Sequence, residues 1–379
     1  MLLHLFWIGL LLMLSRIVSE FSGRLKVPPV IGVLLIGILA GPSGFRFLEN
    51  NLLFEFLSHM GILILMFIAG METDVKQMRK TGKVSLLVAG FGVLLPFAAG
   101  LLLSLFIDAG TGRILFLATI LTATSVSVTV MTLLDLNKFR SIQGYTILGA
   151  AVLDDILALI FITFIVTFTG MGGNPLWAFL KIVVYFTGAL LFGRIFVQRI
   201  LGFFARLKVR EPVLAAVLGI MLMYAFFAEE LGIAGVTGSY LAGIMVGSTI
   251  EGRNVKRGID TIGYGFFIPF FFIQLGLTAT FHKLGINIFF AIVFVAIGLF
   301  SKLLGSGIGA FMGLKQIDKA LAIGIGMMPR GEIALVVSAL GIREGFLTDA
   351  DMTATIMLVM VSSLITPFLL RVAIGGEKL

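Results

Sequence analysis

Apolar runs of membrane-spanning length, parted by short polar stretches, recur from one end of the chain to the other. A bilayer's hydrocarbon is about 30 Å thick and a helix rises about 1.5 Å per residue, so roughly 20 apolar residues cross it. Thirteen segments meet or approach that length: 2–22, 28–41, 52–71, 84–107, 113–134, 141–169, 175–205, 211–231, 235–250, 259–280, 285–313, 317–342 and 351–374. The second and ninth are short. The pattern predicts an all-α polytopic membrane protein with about thirteen transmembrane helices.

Composition agrees. Only 13% of the 379 residues are charged and mean hydropathy is +1.12, whereas a soluble domain carries about 25% charged residues. Forty-six glycines suit close packing of helices in lipid. With no cysteine, disulfides, thiol chemistry and cysteine-ligated zinc are excluded. Residues Met1 to Trp7 carry no basic leader or small-residue cleavage site, so this end is expected to remain as an anchor.

The net charge of +8 suggests a nucleic-acid partner until its distribution is read. Nineteen Lys and Arg residues fall after odd-numbered segments or in the C-terminal tail; only Arg46, Arg113, Lys283 and Arg343 fall on the opposite side. Such asymmetry marks the cytoplasmic face. The N-terminus is therefore expected outside and the C-terminus in the cytoplasm of a cell-membrane protein. Topology explains the charge, and no nucleic acid is needed.

The chain also repeats itself. Gly32, Gly37 and Gly41 in segment two match Gly238, Gly243 and Gly247 in segment nine at a constant shift of 206, which also carries Gly70 onto Gly276. Segments two to six then correspond to nine to thirteen. Seven segments separate the two starts, so the five-helix units run in opposite senses. Inverted repeats are a common plan of secondary transporters.

Candidate chemistry centres on segment six. Asp154 and Asp155 interrupt a run otherwise apolar from Ile147 to Phe168, Thr163 and Thr167 apart. Ionisable residues at such depth mark function by default. In segment five, Thr122 to Thr129 is rich in hydroxyls. The 206 shift lays its Thr124 on Arg330, within Gly324-Ile-Gly-Met-Met-Pro329-Arg330-Gly331-Glu332 of segment twelve. Proline lacks an N–H and glycine weakens a helix, so helix breaks are expected near Thr124 and Pro329. Broken helices expose carbonyls and half-helix ends that hold cations. The alternative is hydroxyls bonded back to their own helix, with Pro329 as a simple kink.

Lys302, between Phe300 and Leu303, needs an acidic partner, for which Asp154 and Asp155 are the candidates. Adjacent helical residues point about 100° apart, so one aspartate can pair with Lys302 while the other faces a cavity. Arg330 and Glu332 are expected to neutralise each other or the exposed helix ends. Arg16, Lys181 and Arg194 can snorkel. His4, His59 and His282 lack companion ligands, and Glu229 with Glu230 reads as a solvated helix end.

A carboxylate tuned near neutrality by burial, a like-charged neighbour and a nearby ammonium can hold either a proton or a hard cation. If the site changes sides only when occupied, competition for it couples the two fluxes. Asp155 would be the exchanging ligand, with Asp154, Thr124, Ser125 and nearby carbonyls completing the Na⁺ site.

The aspartate pair, the polar break, the lysine of segment eleven and Pro329-Arg330-Gly331-Glu332 resemble the bacterial monovalent cation/proton antiporters of the NapA and GerN kind (cation:proton antiporter-2 type). The resemblance spans the whole membrane domain. It implies an NhaA/NapA-like fold with two discontinuous crossing helices. A scaffold of 1–80 and 209–282 would form a homodimer, a core of 81–170 and 283–379 would move like an elevator, and 171–208 would link them. It also implies that Asp155 binds the cation, that Asp154 pairs with Lys302, and that transport is electrogenic. Relatives that export potassium often carry a cytosolic nucleotide-binding domain and lack an aspartate at the position of Asp154. The chain ends at Leu379 with neither trait, which favours Na⁺ or Li⁺ over K⁺. No cofactor beyond the transported ions is expected, and no enzyme activity. A cation channel fits the inverted repeat poorly. An intramembrane aspartyl protease needs its two acids on different helices.

Overall fold

The computed structural model describes residues 2–24, 29–42, 44–48, 51–103, 110–168, 175–277 and 288–375. The described residues with regular structure are helical throughout. In chain order they form α1 (Leu2–Arg24), α2 (Pro29–Ala40), α3 (Leu52–Glu72), α4 (Val75–Leu102), α5 (Thr111–Thr122), α6 (Ser127–Asp135) and α7 (Ile142–Phe168). There follow α8 (Pro175–Phe192) and α9 (Gln198–Phe204), joined through a π turn at Gly193–Val197, then α10 (Pro212–Glu230) and α11 (Gly235–Gly247). A second π turn, Gly263–Phe267, joins α12 (Ile250–Ile262) to α13 (Ile268–Leu277); α14 (Ile288–Leu314), α15 (Ile317–Gly326), α16 (Glu332–Arg343) and α17 (Asp349–Gly375) complete the chain.

Among the described residues, nine helices, some interrupted, are long and apolar enough to cross a bilayer. Each of the thirteen expected segments contains helix, and two begin earlier than expected. α4 starts at Val75 rather than near 84, and helix starts at Ile250 rather than near 259. Lys76, Arg79, Lys80 and Lys83, and likewise Arg253, Lys256 and Arg257, therefore lie on helical turns, not in loops. Hydropathy detects only the apolar part of a helix, whereas Lys and Arg are good helix formers.

The helices group into two compact units. One comprises 1–50, 77–173 and 272–379; the other comprises 51–76 and 174–271. In the first, Leu103, Phe116, Leu121, Phe294, Val337 and Leu358 belong to one apolar core. Arg113, the first residue of expected segment five, lies in the first turn of α5 and grips the fully buried Asp351 of α17 with two hydrogen bonds of 3.1 and 2.8 Å. Thr348 adds its N–H and hydroxyl to the same carboxylate. Asp351→Ala, which removes four charge-assisted bonds, is expected to lower the thermal midpoint by several degrees and cost about 2–3 kcal/mol. Unfolding in detergent measures this, and a midpoint within error of wild type would reduce the clamp to decoration.

In the second unit, Glu72 of α3 and Asp260 of α12 both bind Lys256 at 2.9 Å. Glu229 pairs with half-exposed His59 at 3.3 Å.

The glycine repeat appears as reciprocal packing within the units. In the first, a Cβ on Gly37 would collide with the Ile273 carbonyl and press on Gly276, while Gly41 lies against Leu277. In the second, a Cβ on Gly243 would collide with the Phe67 carbonyl and press on Gly70, while Gly247 lies against Met71. Gly37 and Gly243, Gly41 and Gly247, Gly70 and Gly276, and Met71 and Leu277 are all related by the shift of 206. Each repeat's short glycine helix therefore meets the other repeat's next helix. Small residues allow that backbone approach in lipid.

Candidate ion-binding site

Two helix breaks build the site. The chain leaves helix between Thr122 and Ser127, and again between Gly326 and Glu332. These are the hydroxyl-rich and Pro329 positions where breaks were expected. The broken stretches touch: Ser125 N–H donates to the Pro329 carbonyl at 2.8 Å, and a Cβ on Gly331 would press on the Ser125 side chain. Ser125 and Gly331 are themselves related by the 206 shift. Thr129 donates its hydroxyl to the Gly326 carbonyl at 2.6 Å, satisfying the end of α15 from the first turn of α6.

The C-terminal end of α5 is satisfied by a cation. Lys302, fully buried on α14, donates to the Thr122 carbonyl at 2.9 Å. It also donates to both carboxylate oxygens of Asp154 on α7, at 3.1 and 3.0 Å. Asp154 is 2% exposed. A charge pair so deep survives only when paired and hydrogen-bonded. The sequence left Asp154 and Asp155 as alternatives for Lys302 on residue spacing; the geometry pairs Lys302 with Asp154. Gly92 of α4 leaves room beside the pair: a Cβ there would meet Ser306 Oγ and approach Lys302.

The other expected residues divide as follows. Thr124 and Ser125 are buried in the first break; Thr124 Oγ1 lies 3.5 Å from the Thr122 carbonyl and Ser125 Oγ 3.0 Å from Ser127 Oγ. Pro329 supplies the carbonyl that binds Ser125. Arg330 is fully buried, its backbone N–H bonded to Ser362 Oγ at 3.0 Å and its Nη2 to the Gly298 carbonyl at 2.9 Å. Asp155 and Glu332 lie on the backbones of α7 and α16, but their side chains fall outside the described residues. Three groups had no sequence signal of their own: the carbonyls of Thr122 and Gly298, and Ser362, one hydroxyl among several in segment thirteen. Among the described residues no cluster of three His, Cys, Asp or Glu could hold a metal ion.

A helical membrane protein with a buried ion pair beneath the end of a broken helix is built as a transporter. The family model described as "Sodium/hydrogen exchanger, transmembrane" matches residues 9–373. The Na⁺/H⁺-K⁺ antiporter GerN of Bacillus cereus is 37% identical over 98% of this chain and 96% of its own. The Na⁺/H⁺ antiporter of Enterococcus hirae is 32% identical over 96% of each. The solved structure of the sodium proton antiporter MjNhaP1 from Methanocaldococcus jannaschii superposes with a TM-score of 0.72 at 18% identity, over 98% of this chain and 96% of that one, and so shares the fold. The chain belongs to the sodium/hydrogen exchanger family, as a multi-pass antiporter of monovalent cations and protons and not an enzyme.

Proposed function

We propose that the protein exchanges Na⁺ for H⁺ across the cytoplasmic membrane, with Asp155 as the carboxylate that holds cation and proton in turn. The observation that carries this reading is the Lys302–Asp154 pair. Because Asp154 is already bonded to a cation, the neighbouring acid is the one left to exchange. Thr124, Ser125 and the carbonyls of the first break supply further oxygen ligands, as a hard cation prefers. Arg330 and Glu332 compensate the exposed helix ends beside Pro329.

The transport cycle is an elevator in which a core of 81–170 and 283–379 moves against a dimer-forming scaffold of 1–80 and 209–282, through a linker of 171–208. Thirteen membrane crossings, two inverted repeats, an external N-terminus and a cytoplasmic C-terminus fit the charge asymmetry and the glycine shift. More protons than cations move per cycle, so exchange is electrogenic.

The test is proton flux in sealed proteoliposomes driven by Na⁺, Li⁺ or K⁺, with Asp155→Asn beside the native chain. Na⁺-driven flux that falls in the variant to the level of empty liposomes is expected. Normal transport by Asp155→Asn would overturn the assignment. K⁺ is included because GerN is named for it as well as for Na⁺; a K⁺ response equal to that for Na⁺ would make this a K⁺(Na⁺)/H⁺ exchanger at the same site.

A further inference from the structure

A cavity of about 240 Å³ opens between α8 and α10, wholly within the second unit. Tyr185, Gly188 and Phe192 line it from α8; Met223, Tyr224 and Phe227 line it from α10. Tyr185 donates its hydroxyl to the Tyr224 carbonyl at 3.0 Å, and Tyr224 donates its own to the Ala189 carbonyl at 2.7 Å. Both hydroxyls in the wall are thus spent within the protein, and the surface left open is hydrocarbon. A cavity so lined stays dry and takes apolar matter. It is smaller than a drug-sized pocket and of a size for one alkyl chain. Met223 and Phe227 are each more than half exposed, so the cavity opens sideways from two helices that belong to membrane spans.

Two charges stand at one end of this groove. Lys181 lies four and seven residues before Tyr185 and Gly188, on the same stripe of α8. Glu230 lies three and seven residues after Phe227 and Met223 on α10. Both are exposed. The apolar span of α8 begins at Leu180 and that of α10 ends at Glu230. The two charges therefore share the level at which hydrocarbon gives way to headgroups. Among the described residues neither takes part in an ion pair. Glu230 is badly placed by itself, because a carboxylate at a helix C-terminus meets the negative end of the helix dipole. Its neighbour Glu229 has His59 as partner; Glu230 needs a cation from outside the chain. Trp177, exposed one turn beyond Lys181, is a side chain that membrane interfaces favour.

We propose that this groove holds one phosphatidylethanolamine of the bilayer, with an acyl chain in the cavity, its phosphate on Lys181 and its ammonium on Glu230. The opposite signs select a zwitterion. An anionic lipid would satisfy Lys181 and leave Glu230 unanswered. A primary ammonium donates charge-assisted hydrogen bonds to a carboxylate, whereas the quaternary ammonium of a choline lipid has no N–H to give. An apolar helix from a second copy would fill the groove but leave both charges without partners. The site is independent of which ion the protein exchanges.

The experiment is native mass spectrometry of delipidated protein in detergent, titrated with phosphatidylethanolamine, phosphatidylglycerol or phosphatidylcholine. One phosphatidylethanolamine per chain is expected to stay bound at concentrations where the other two do not. Lys181→Gln is expected to weaken it roughly fivefold, the weight of one basic side chain near a lipid surface. Glu230→Gln is expected to abolish the preference for phosphatidylethanolamine over phosphatidylglycerol. A Cβ on Gly188 meets nothing within 4 Å, so the side chain of Gly188→Leu has room in the cavity and is expected to expel the lipid. Gly202→Leu on α9, where a Cβ also meets nothing, is expected to retain it. If Gly188→Leu does not fold, the two headgroup variants carry the test. Equal retention of all three lipids by native protein, unchanged in Glu230→Gln, would overturn the proposal. So would lipid-free dimers that Gly188→Leu splits into monomers, which would give the groove to a second copy of the chain.

Discussion

Lys302→Met is expected to destabilise the protein by roughly 3 kcal/mol, at the lower end of the 3–5 kcal/mol found when one partner of a buried ion pair is removed. Methionine nearly matches the lysine stem in length, so little of that cost is cavity. The loss comes from Asp154, left 2% exposed without its bonded cation, and from the Thr122 carbonyl, which loses its donor at the end of α5. Adding Asp154→Leu removes the stranded carboxylate and is expected to recover most of the stability, since a buried pair replaced by apolar residues is often neutral. Unfolding midpoints of the two single variants and the double close the cycle. If Lys302→Met unfolds within about 0.5 kcal/mol of native protein, inside the scatter of an ordinary surface substitution, the pair has no structural weight. The double variant should nonetheless be inactive, which separates folding from transport.

What the chain reveals before folding is uneven, for physical reasons. Apolar length marks a membrane helix, so α3, α10 and α14 are legible to within a few residues. The amphipathic first turns of α4 and of α12 are not, because their lysines and arginines read as loop. The breaks were legible because Pro329, the glycines around it and the hydroxyls near Thr124 each weaken a helix by a known mechanism. What the sequence could not show for Arg113 is its partner, because nothing in the charge count points to Asp351, 238 residues away. The heart of the site was least legible. A carbonyl at Thr122 or Gly298 belongs to every residue alike, and only the fold aims it at a cation. For the same reason sequence could name Arg330 but not the Gly298 carbonyl that its Nη2 meets.

Gly243→Leu and Gly37→Leu are expected to abolish folding, and the matching alanine variants to cost similar amounts. The sequence shift relates Gly37 to Gly243, and the structure gives each the same neighbours: a carbonyl oxygen one turn from a glycine on the helix it meets. A new Cβ meets backbone at both sites, and backbone cannot turn aside as a side chain can. The helices must part, at a cost of about 1–3 kcal/mol or more for an added methyl group. Parting them also forfeits close packing, the main attraction between helices where lipid is as apolar as they are. Gly219 of α10 is the control, since a Cβ there meets nothing within 4 Å. Gly219→Ala is expected to stabilise by about 0.5–1 kcal/mol through backbone entropy alone. Expression and thermal unfolding of Gly37→Ala, Gly243→Ala and Gly219→Ala measure all three. Equal losses at the first two sites, with a gain at the third, would show that the repeat is a packing symmetry and not only a likeness of sequence. A tolerated alanine at one site and not the other would mean that the two halves have diverged in how they bring their helices together, and the shift of 206 would then carry no energetic equivalence.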